Sequence, residues 1–75
     1  MDNHMKLTHK ELEIILNALL EMECSKLREK NDYKRIGNMT AAEACTEQYY
    51  EIRLLEDKLA ANRHDIGTEI AYELV

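Results

Sequence analysis

Two pairs of side chains in the 75-residue sequence have the chemistry of metal ligands. His9 and Glu13 are one helical turn apart, and a chain that folds back near residue 36 brings them level with His64 and Asp65. A structural zinc site usually needs four nitrogen or sulfur ligands and a supporting layer of hydrogen bonds. Nothing in this pattern fixes the side chains at two helix ends, so we interpret all four as surface residues and predict no metal site and no cofactor.

The two cysteines, Cys24 and Cys45, also come out level in such a hairpin. A disulfide needs Cα atoms about 4.4–6.8 Å apart, whereas helix axes usually lie about 8–10 Å apart. The two residues also lack the CxxC spacing of redox and metal motifs. We therefore expect two small, buried, reduced thiols, which are typical of a cytoplasmic protein.

A basic cluster interrupts a chain that is acidic as a whole. Residues 26–35 hold five cations and two anions, a net charge of +3, although the full chain carries −5. The cluster surrounds Tyr33 and comprises Arg28, Lys30, Lys34 and Arg35. These cations could contact phosphates or an acidic protein surface, or they could simply favour the C-terminal end of a helix. Because nonspecific nucleic-acid binding rests on Lys and Arg, the acidic balance argues against a general nucleic-acid coat.

Two helices must position these groups. Thr8 and Glu11 have the spacing of a capping box, which predicts a first helix over residues 9–31. Thr40 and Glu43 repeat that spacing, which predicts a second helix over residues 41–62. A polar connection of about eight residues normally joins antiparallel neighbours. Since the chain also lacks Pro, Trp and Phe, the sequence predicts an all-α fold built on an antiparallel helical hairpin.

The two ends of the chain are predicted to differ. Residues 1–7 are mostly polar and predict a disordered N-terminal tail. Toward the C-terminus, Ile66, Ile70 and Leu74 recur at intervals of four around the break at Gly67, which predicts a short third helix beginning near Thr68. The chain is too short for two cores, so residues 1–75 are interpreted as a single domain.

Each predicted helix has an apolar side, and on helix 2 its spacing alternates between four and three as in a coiled coil. The residues assigned to a seam for self-association or partner binding are Leu12, Ile15, Leu16, Leu19, Leu20, Cys45, Gln48, Ile52, Leu55 and Leu59. Gln48 lies within this seam, and Glu23 projects into the helix 1 side. Such polar groups either fix register and oligomeric state or lie where the bundle is splayed and wet, and the sequence leaves both open.

Further apolar residues lie behind the seam. The candidates for contact with a partner are Tyr50, Leu54 and Met22. A chain of this length rarely gains more than ~3–5 kcal/mol from its own core, and small proteins commonly oligomerise to compensate. We therefore expect a homodimer in which two hairpins form a four-helix bundle, with a different protein as the alternative partner.

The functional expectation follows from what the sequence contains and lacks. It has no Gly-rich phosphate loop, nucleophile elbow or paired-carboxylate pocket, and a short hairpin offers no concave site for a small-molecule substrate. No apolar run approaches the roughly 18 residues of a membrane span, and the polar N-terminus does not resemble a secretion signal. We expect a cytoplasmic, non-enzymatic adaptor or inhibitor of bacterial or phage type that docks its helices on a protein. The alternative is a nucleic-acid-binding dimer that uses the basic cluster.

Overall fold

The computed structural model describes residues 4–74, which form two helices and a three-stranded antiparallel sheet. In chain order the elements are β1 (His4–Thr8), α1 (His9–Arg35), α2 (Met39–Ala61), β2 (Arg63–Ile66) and β3 (Glu69–Glu73). The two helices lie side by side as a hairpin, and the sheet joins both chain ends at the open end of that hairpin. The molecule is elongated, with principal extents of 50 × 23 × 15 Å.

The start of α1 confirms the predicted capping box. The backbone amide of Glu11 donates to the hydroxyl of Thr8 (N–Oγ1 3.1 Å), and the amide of Thr8 donates to the carboxylate of Glu11 (N–Oε1 2.9 Å). The helix then continues four residues beyond the predicted end, to Arg35. Lys34 and Arg35 lie in its last turn, where cations interact favourably with the helix dipole. The connection to α2 is therefore only residues 36–38, not eight residues.

The start of α2 was predicted two residues too late. Asn38, not Thr40, is the N-cap, and its side-chain oxygen accepts the amide of Ala41 (N–Oδ1 3.2 Å). Asn is as good a cap as Thr, and Gly37 with φ of 80° supplies the left-handed residue that ends the preceding turn. Asn38 therefore offered a capping side chain two residues before Thr40, and the helix begins at this earlier cap.

The all-α prediction is wrong, because the two chain ends form a sheet with strand order β1–β3–β2. Residues 4–7 of the predicted tail belong to β1, with Leu7 opposite Ile70, while residues 1–3 lie outside the described residues. The predicted third helix near Thr68 is replaced by a two-residue turn, in which Ile66 pairs with Glu69. Gly67 adopts a φ of 59° at the first turn position, as a tight hairpin turn requires.

The burial of β3 explains why the strand wins over the helix. Side chains alternate along a strand, so Ile70 and Tyr72 point to one face, where they pack with Leu12 and, more peripherally, with Leu7 and Leu59. A helix through the same residues would leave the backbone groups of β1 without a sheet partner. Ala71 is buried too, so β3 is covered on both faces, and of the residues spaced by four only Ile70 lies in the core, since Ile66 and Leu74 are exposed.

The position of this core also corrects the predicted four-helix bundle. The open end of the hairpin is covered by the sheet of the same chain, not by a second hairpin, and the core cluster lies between α1, the end of α2 and the central strand. The fold is therefore a helical hairpin closed at one end by its own sheet. Along most of its length, each helix contacts only the other helix among the described residues, so its remaining sides are exposed.

Candidate functional site

The seam on α2 is rotated relative to the prediction. Most of its buried and half-buried positions repeat at intervals of three and four, and Ala41 and Thr46 beside them are half-buried too. The residues of this seam are Ala42, Cys45, Tyr49, Ile52, Glu56 and Leu59. The predicted seam residues Gln48 and Leu55 are exposed instead. Tyr49 and Glu56 take their places, each about 100° further around the helix, and because the other positions are shared the face as a whole turns by about 50°. Cys45, Ile52 and Leu59 were assigned correctly because they belong to both patterns.

The seam on α1 is narrower than predicted. Leu12 and Leu19 are buried and Ile15 is half-buried, whereas Leu16 and Leu20 are exposed. The predicted interaction seam therefore divides into two sets. Its buried members pack within the chain and offer nothing to a partner, while its exposed members remain accessible.

A pair of carboxyl groups occupies the middle of the seam. Glu23 is only 7% exposed, and its Oε1 atom accepts no hydrogen bond from residues 4–74. Glu56 on α2 is within hydrogen-bonding reach of Glu23, an interaction that exists only while one of the two carries a proton. This hydrogen bond raises the pKa of Glu56 above its ordinary value of 4.5, with smaller contributions from burial and from the negative charge of Glu23. Lys26, one turn further along α1, pairs instead with Glu29 (Nζ–Oε2 3.2 Å).

Exposed leucines follow α1 on the side next to the seam. Leu16, Leu20 and Leu27, which we call the α1 row, are 40–56% exposed, and Cys24 lies beside them. Leu20 and Cys24 also line a shallow groove on this helix. Monomeric proteins commonly expose single apolar residues, but a row along one helix face is typical of a contact surface.

A second apolar surface lies on the outer side of α2. Tyr50 and Leu54, which we call the α2 pair, are 60% and 68% exposed and are one helical turn apart. The ring of Tyr50 meets the half-buried ring of Tyr49 edge to face, with centroids 5.6 Å apart. Met22 is exposed too, but it lies on α1 beside the seam, so the structure does not bring it together with the α2 pair.

The basic cluster lies on the last two turns of α1, which include Lys34 and Arg35 although these two were predicted to lie in the connection. Its four cations are Arg28, Lys30, Lys34 and Arg35. Lys30 and Lys34 share one side of the helix and Arg28 and Arg35 share another, so the four cations form no single basic face. Arg35 pairs with Asp32 (Nη2–Oδ1 3.5 Å), and Arg28 donates to Ser25 (Nη2–Oγ 3.4 Å).

The predicted metal-ligand candidates do not converge. His64 faces Glu73 across the sheet (Nε2–Oε2 3.9 Å), and Asp65 pairs with Arg63 (Oδ1–Nε 2.9 Å). Within residues 4–74 no group of three or more His, Cys, Asp or Glu side chains could hold a metal ion. The arrangement at the open end of the hairpin is therefore one surface contact between β2 and β3 and one ion pair within β2.

The cysteines have different environments. Both are free thiols; Cys45 is buried as predicted, but Cys24 is exposed. The Cys45 thiol is directed at the carboxylate of Glu29 (Sγ–Oε2 3.8 Å). Only Cys24 can therefore react with another protein without opening the hairpin.

An apolar cleft of about 280 Å³ lies between α2 and the sheet. Its apolar walls include Met5, Leu55, Leu59, Tyr72 and Leu74. Ligand sites for small molecules usually measure about 300–1,000 Å³ and contain convergent polar groups. At about 280 Å³ the cleft is at the lower limit of that range. Leu55, which was predicted to lie in the seam, lines this cleft instead.

Sequence reasoning missed four residues that shape these surfaces. They are Tyr49, Glu56, Ile70 and Tyr72. The signal for the last two was the alternation through "EIAYE" after an "IGTE" turn. The signal for the first two was the alternative heptad from Ala42, which contains as many apolar residues as the seam that was chosen.

No family model, curated protein or solved structure matches this chain, so its function must be argued from its own surfaces. Among the described residues, neither helix is apolar enough over its length to cross a lipid bilayer.

Proposed function

We propose that the protein is a small non-enzymatic adaptor or inhibitor that docks the outer side of α2 on a partner protein. The observation that carries this proposal is the α2 pair, two large apolar side chains that are mostly exposed and share one helix face. Tyrosine is among the residue types that supply most of the energy at protein interfaces. An amphipathic helix that presents anchors at intervals of four is also a common way for one protein to enter the groove of another.

The contact between Tyr49 and Tyr50 supports this role. Tyr49 is anchored in the seam, and its ring restrains the Tyr50 ring through an edge-to-face contact. A side chain that is already restrained loses less conformational entropy on binding. Tyr50 is therefore a prepared anchor, and Leu54 extends its apolar surface by one turn.

The charge of α2 suggests the chemistry of the partner. Between Met39 and Ala61 the helix carries five acidic and two basic side chains, a net charge of −3. Complementary charges at the rim of an interface increase association rates and exclude wrong partners. The proposed partner therefore presents an apolar groove with a basic rim, and occupation of such a groove by this helix would block it for other ligands.

The non-enzymatic part of the proposal rests on the cleft and the carboxyl pair. The cleft is small and largely apolar. Glu23 and Glu56 lie in the seam and do not line the cleft, so they supply it with no polar groups for catalysis. We place the protein in the cytoplasm because its two cysteines are free thiols and one of them is exposed. The nucleic-acid alternative is not favoured, since the basic cluster is spread around α1 and Arg35 is paired with Asp32.

A photo-crosslinking amino acid at position 54, introduced into the producing cells, tests the proposal. The matched control places the same amino acid at Gln48, which is exposed on the same helix but turned well away from the α2 pair. We expect a discrete crosslinked protein from position 54 and none from position 48. The purified partner should then bind Tyr50→Ala at least tenfold more weakly, and its binding should weaken with salt. Equal products from both positions, or a partner indifferent to Tyr50→Ala, would contradict the proposal.

A further inference from the structure

Two leucines of the α1 row, Leu20 and Leu27, and two charged residues further out are placed symmetrically about one point of the helix, whereas Leu16 has the polar Asn31 as its counterpart. Leu20 and Leu27 are equally far from a midpoint between Glu23 and Cys24, and the exposed residues Glu13 and Lys34 are equally far from the same midpoint. All four lie on the side of α1 beside the seam, because successive members are seven residues apart and such an interval keeps residues on one helix face. The surface is therefore complementary to itself when it is turned end to end.

The charge of α1 changes sign at the same midpoint. Residues 9–22 hold one basic and three acidic side chains, a net charge of −2 with histidine neutral. Residues 24–35 hold five basic and two acidic side chains, a net charge of +3. Two copies of α1 side by side in the same direction would place like charges together, whereas opposite directions place the acidic half on the basic half.

We infer that a second copy of this chain covers the α1 row, with its α1 packed antiparallel on the first. Leu20 of each copy then meets Leu27 of the other, and Glu13 meets Lys34 twice, once on each side of a two-fold axis. Such an interface uses the same patch on both subunits, which is the commonest arrangement in homodimers. Of the two residues nearest the axis, Glu23 is buried in its own seam, so Cys24 is the side chain that faces its counterpart.

This surface is on a different helix from the α2 pair, so the inference goes beyond the proposed function. A homodimer through α1 leaves both copies of Tyr50 and Leu54 accessible, which would give a bivalent adaptor. Substitutions in the α1 row should change self-association and leave crosslinking from position 54 detectable. Substitutions in the α2 pair should do the reverse.

Charge reversal tests the antiparallel register. Light scattering under reducing conditions should give about twice the chain mass of 8.8 kDa for the natural sequence. Glu13→Lys or Lys34→Glu alone should weaken dimerisation by about threefold to tenfold, since each dimer contains the pair twice. The double reversal should restore it. Leu20→Glu should give a monomer at concentrations where the natural chain is dimeric. A natural chain that stays monomeric at millimolar concentration, or a double reversal weaker than both single ones, would overturn the inference.

Mild oxidation tests the position of the axis. A disulfide needs the two Cα atoms within about 4.4–6.8 Å of each other. The proposed axis lies next to Cys24 and brings the two copies of this residue face to face, so we expect Cys24 to link the two copies rapidly at low protein concentration. The control is Glu47→Cys in a Cys24→Ser background, which carries an exposed thiol on α2, away from the α1 row. We expect the natural chain to form the linked dimer at least tenfold faster than this control. Equal rates would mean collision of any exposed thiols and would overturn the placement of Cys24 at the axis.

Discussion

The sheet end of the molecule has an apolar core, whereas the middle of the hairpin buries a carboxyl group beside its apolar side chains. At the sheet end Ile70 and Tyr72 are almost completely buried between strands and helices. In the middle of the hairpin the seam combines the buried residues Leu19 and Ile52 with the carboxyl pair Glu23–Glu56, while the leucines of the α1 row remain exposed. The difference indicates that the sheet end supplies most of the stability. The middle of the hairpin buries fewer large apolar side chains and leaves more of them accessible to a partner.

The largest effect is expected from the centre of the sheet-end core. Ile70→Ala should lower the free energy of unfolding by about 2–5 kcal/mol, because it removes buried methyl groups and leaves a cavity. Ile14→Ala makes the same chemical change at a residue 61% exposed on α1 and should alter stability by no more than about 0.5 kcal/mol. Urea unfolding of both variants measures the contrast. Similar losses at the two positions would mean that α1 is buried against something at Ile14.

How far the sequence predicts these two regions depends on local signals. The start of α1 could be predicted because Thr8 and Glu11 satisfy each other within one turn, independently of the rest of the chain. The sheet could not be predicted from β1 alone, since Leu7 gains its partner Ile70 only from the other end of the chain. The face of α2 was ambiguous because two overlapping heptads share Cys45 and Ile52, and only contact with α1 and the sheet decides between them.

Removing the charge of Glu23 should strengthen the weaker region. Glu23→Gln keeps the size of the side chain and donates an amide hydrogen bond to the Glu56 carboxylate, so we expect a gain of about 1–3 kcal/mol at neutral pH. Glu21→Gln, at an exposed position of the same helix, should change stability by less than about 0.5 kcal/mol. Thermal or urea unfolding at pH 7 distinguishes them. A loss of stability in Glu23→Gln would show that the charged Glu23 carboxylate makes a stabilising interaction, and would contradict this prediction.

The same pair predicts an unusual dependence of stability on pH. A carboxyl group whose pKa is raised in the folded state contributes stability that is complete below its unfolded pKa and is lost as pH rises through the folded pKa. For Glu56 the free energy of unfolding should begin to fall near pH 4.5 and continue to fall as the pH rises. This dependence should disappear in Glu23→Gln. The pKa of Glu11 is lowered by its hydrogen bonds from Thr8, so its contribution is lost only as pH falls below 4.5. Unfolding curves between pH 4.5 and 7 that rise with pH would contradict the assignment to Glu56.

A smaller effect is expected at the two glycines with positive φ. Gly67 in the β2–β3 turn and Gly37 at the hairpin tip have φ of 59° and 80°, and a Cβ at either position would meet no atom within 4 Å. Alanine should therefore cost about 1–2 kcal/mol at each through the left-handed backbone alone. Equal losses in urea unfolding would show that sheet and tip unfold together. A much smaller loss for Gly37→Ala would show that the tip opens separately from the sheet end.

The smallest expected effects are at the two helix caps, which compare the regions at the level of single hydrogen bonds. Thr8→Ala should cost about 1 kcal/mol and Asn38→Ala about the same or less, because Thr8 takes part in a reciprocal pair whereas Asn38 accepts one bond. Thr8 also joins β1 to α1, so its loss loosens the junction on which the sheet depends. NMR titration gives an independent measurement: the pKa of Glu11 should rise in part toward its ordinary value in Thr8→Ala, which keeps the backbone amide of residue 8 but loses the hydroxyl, and should stay lowered in Asn38→Ala. If Asn38→Ala proves the more damaging, the tip, not the sheet end, is the part of the fold on which the helices depend.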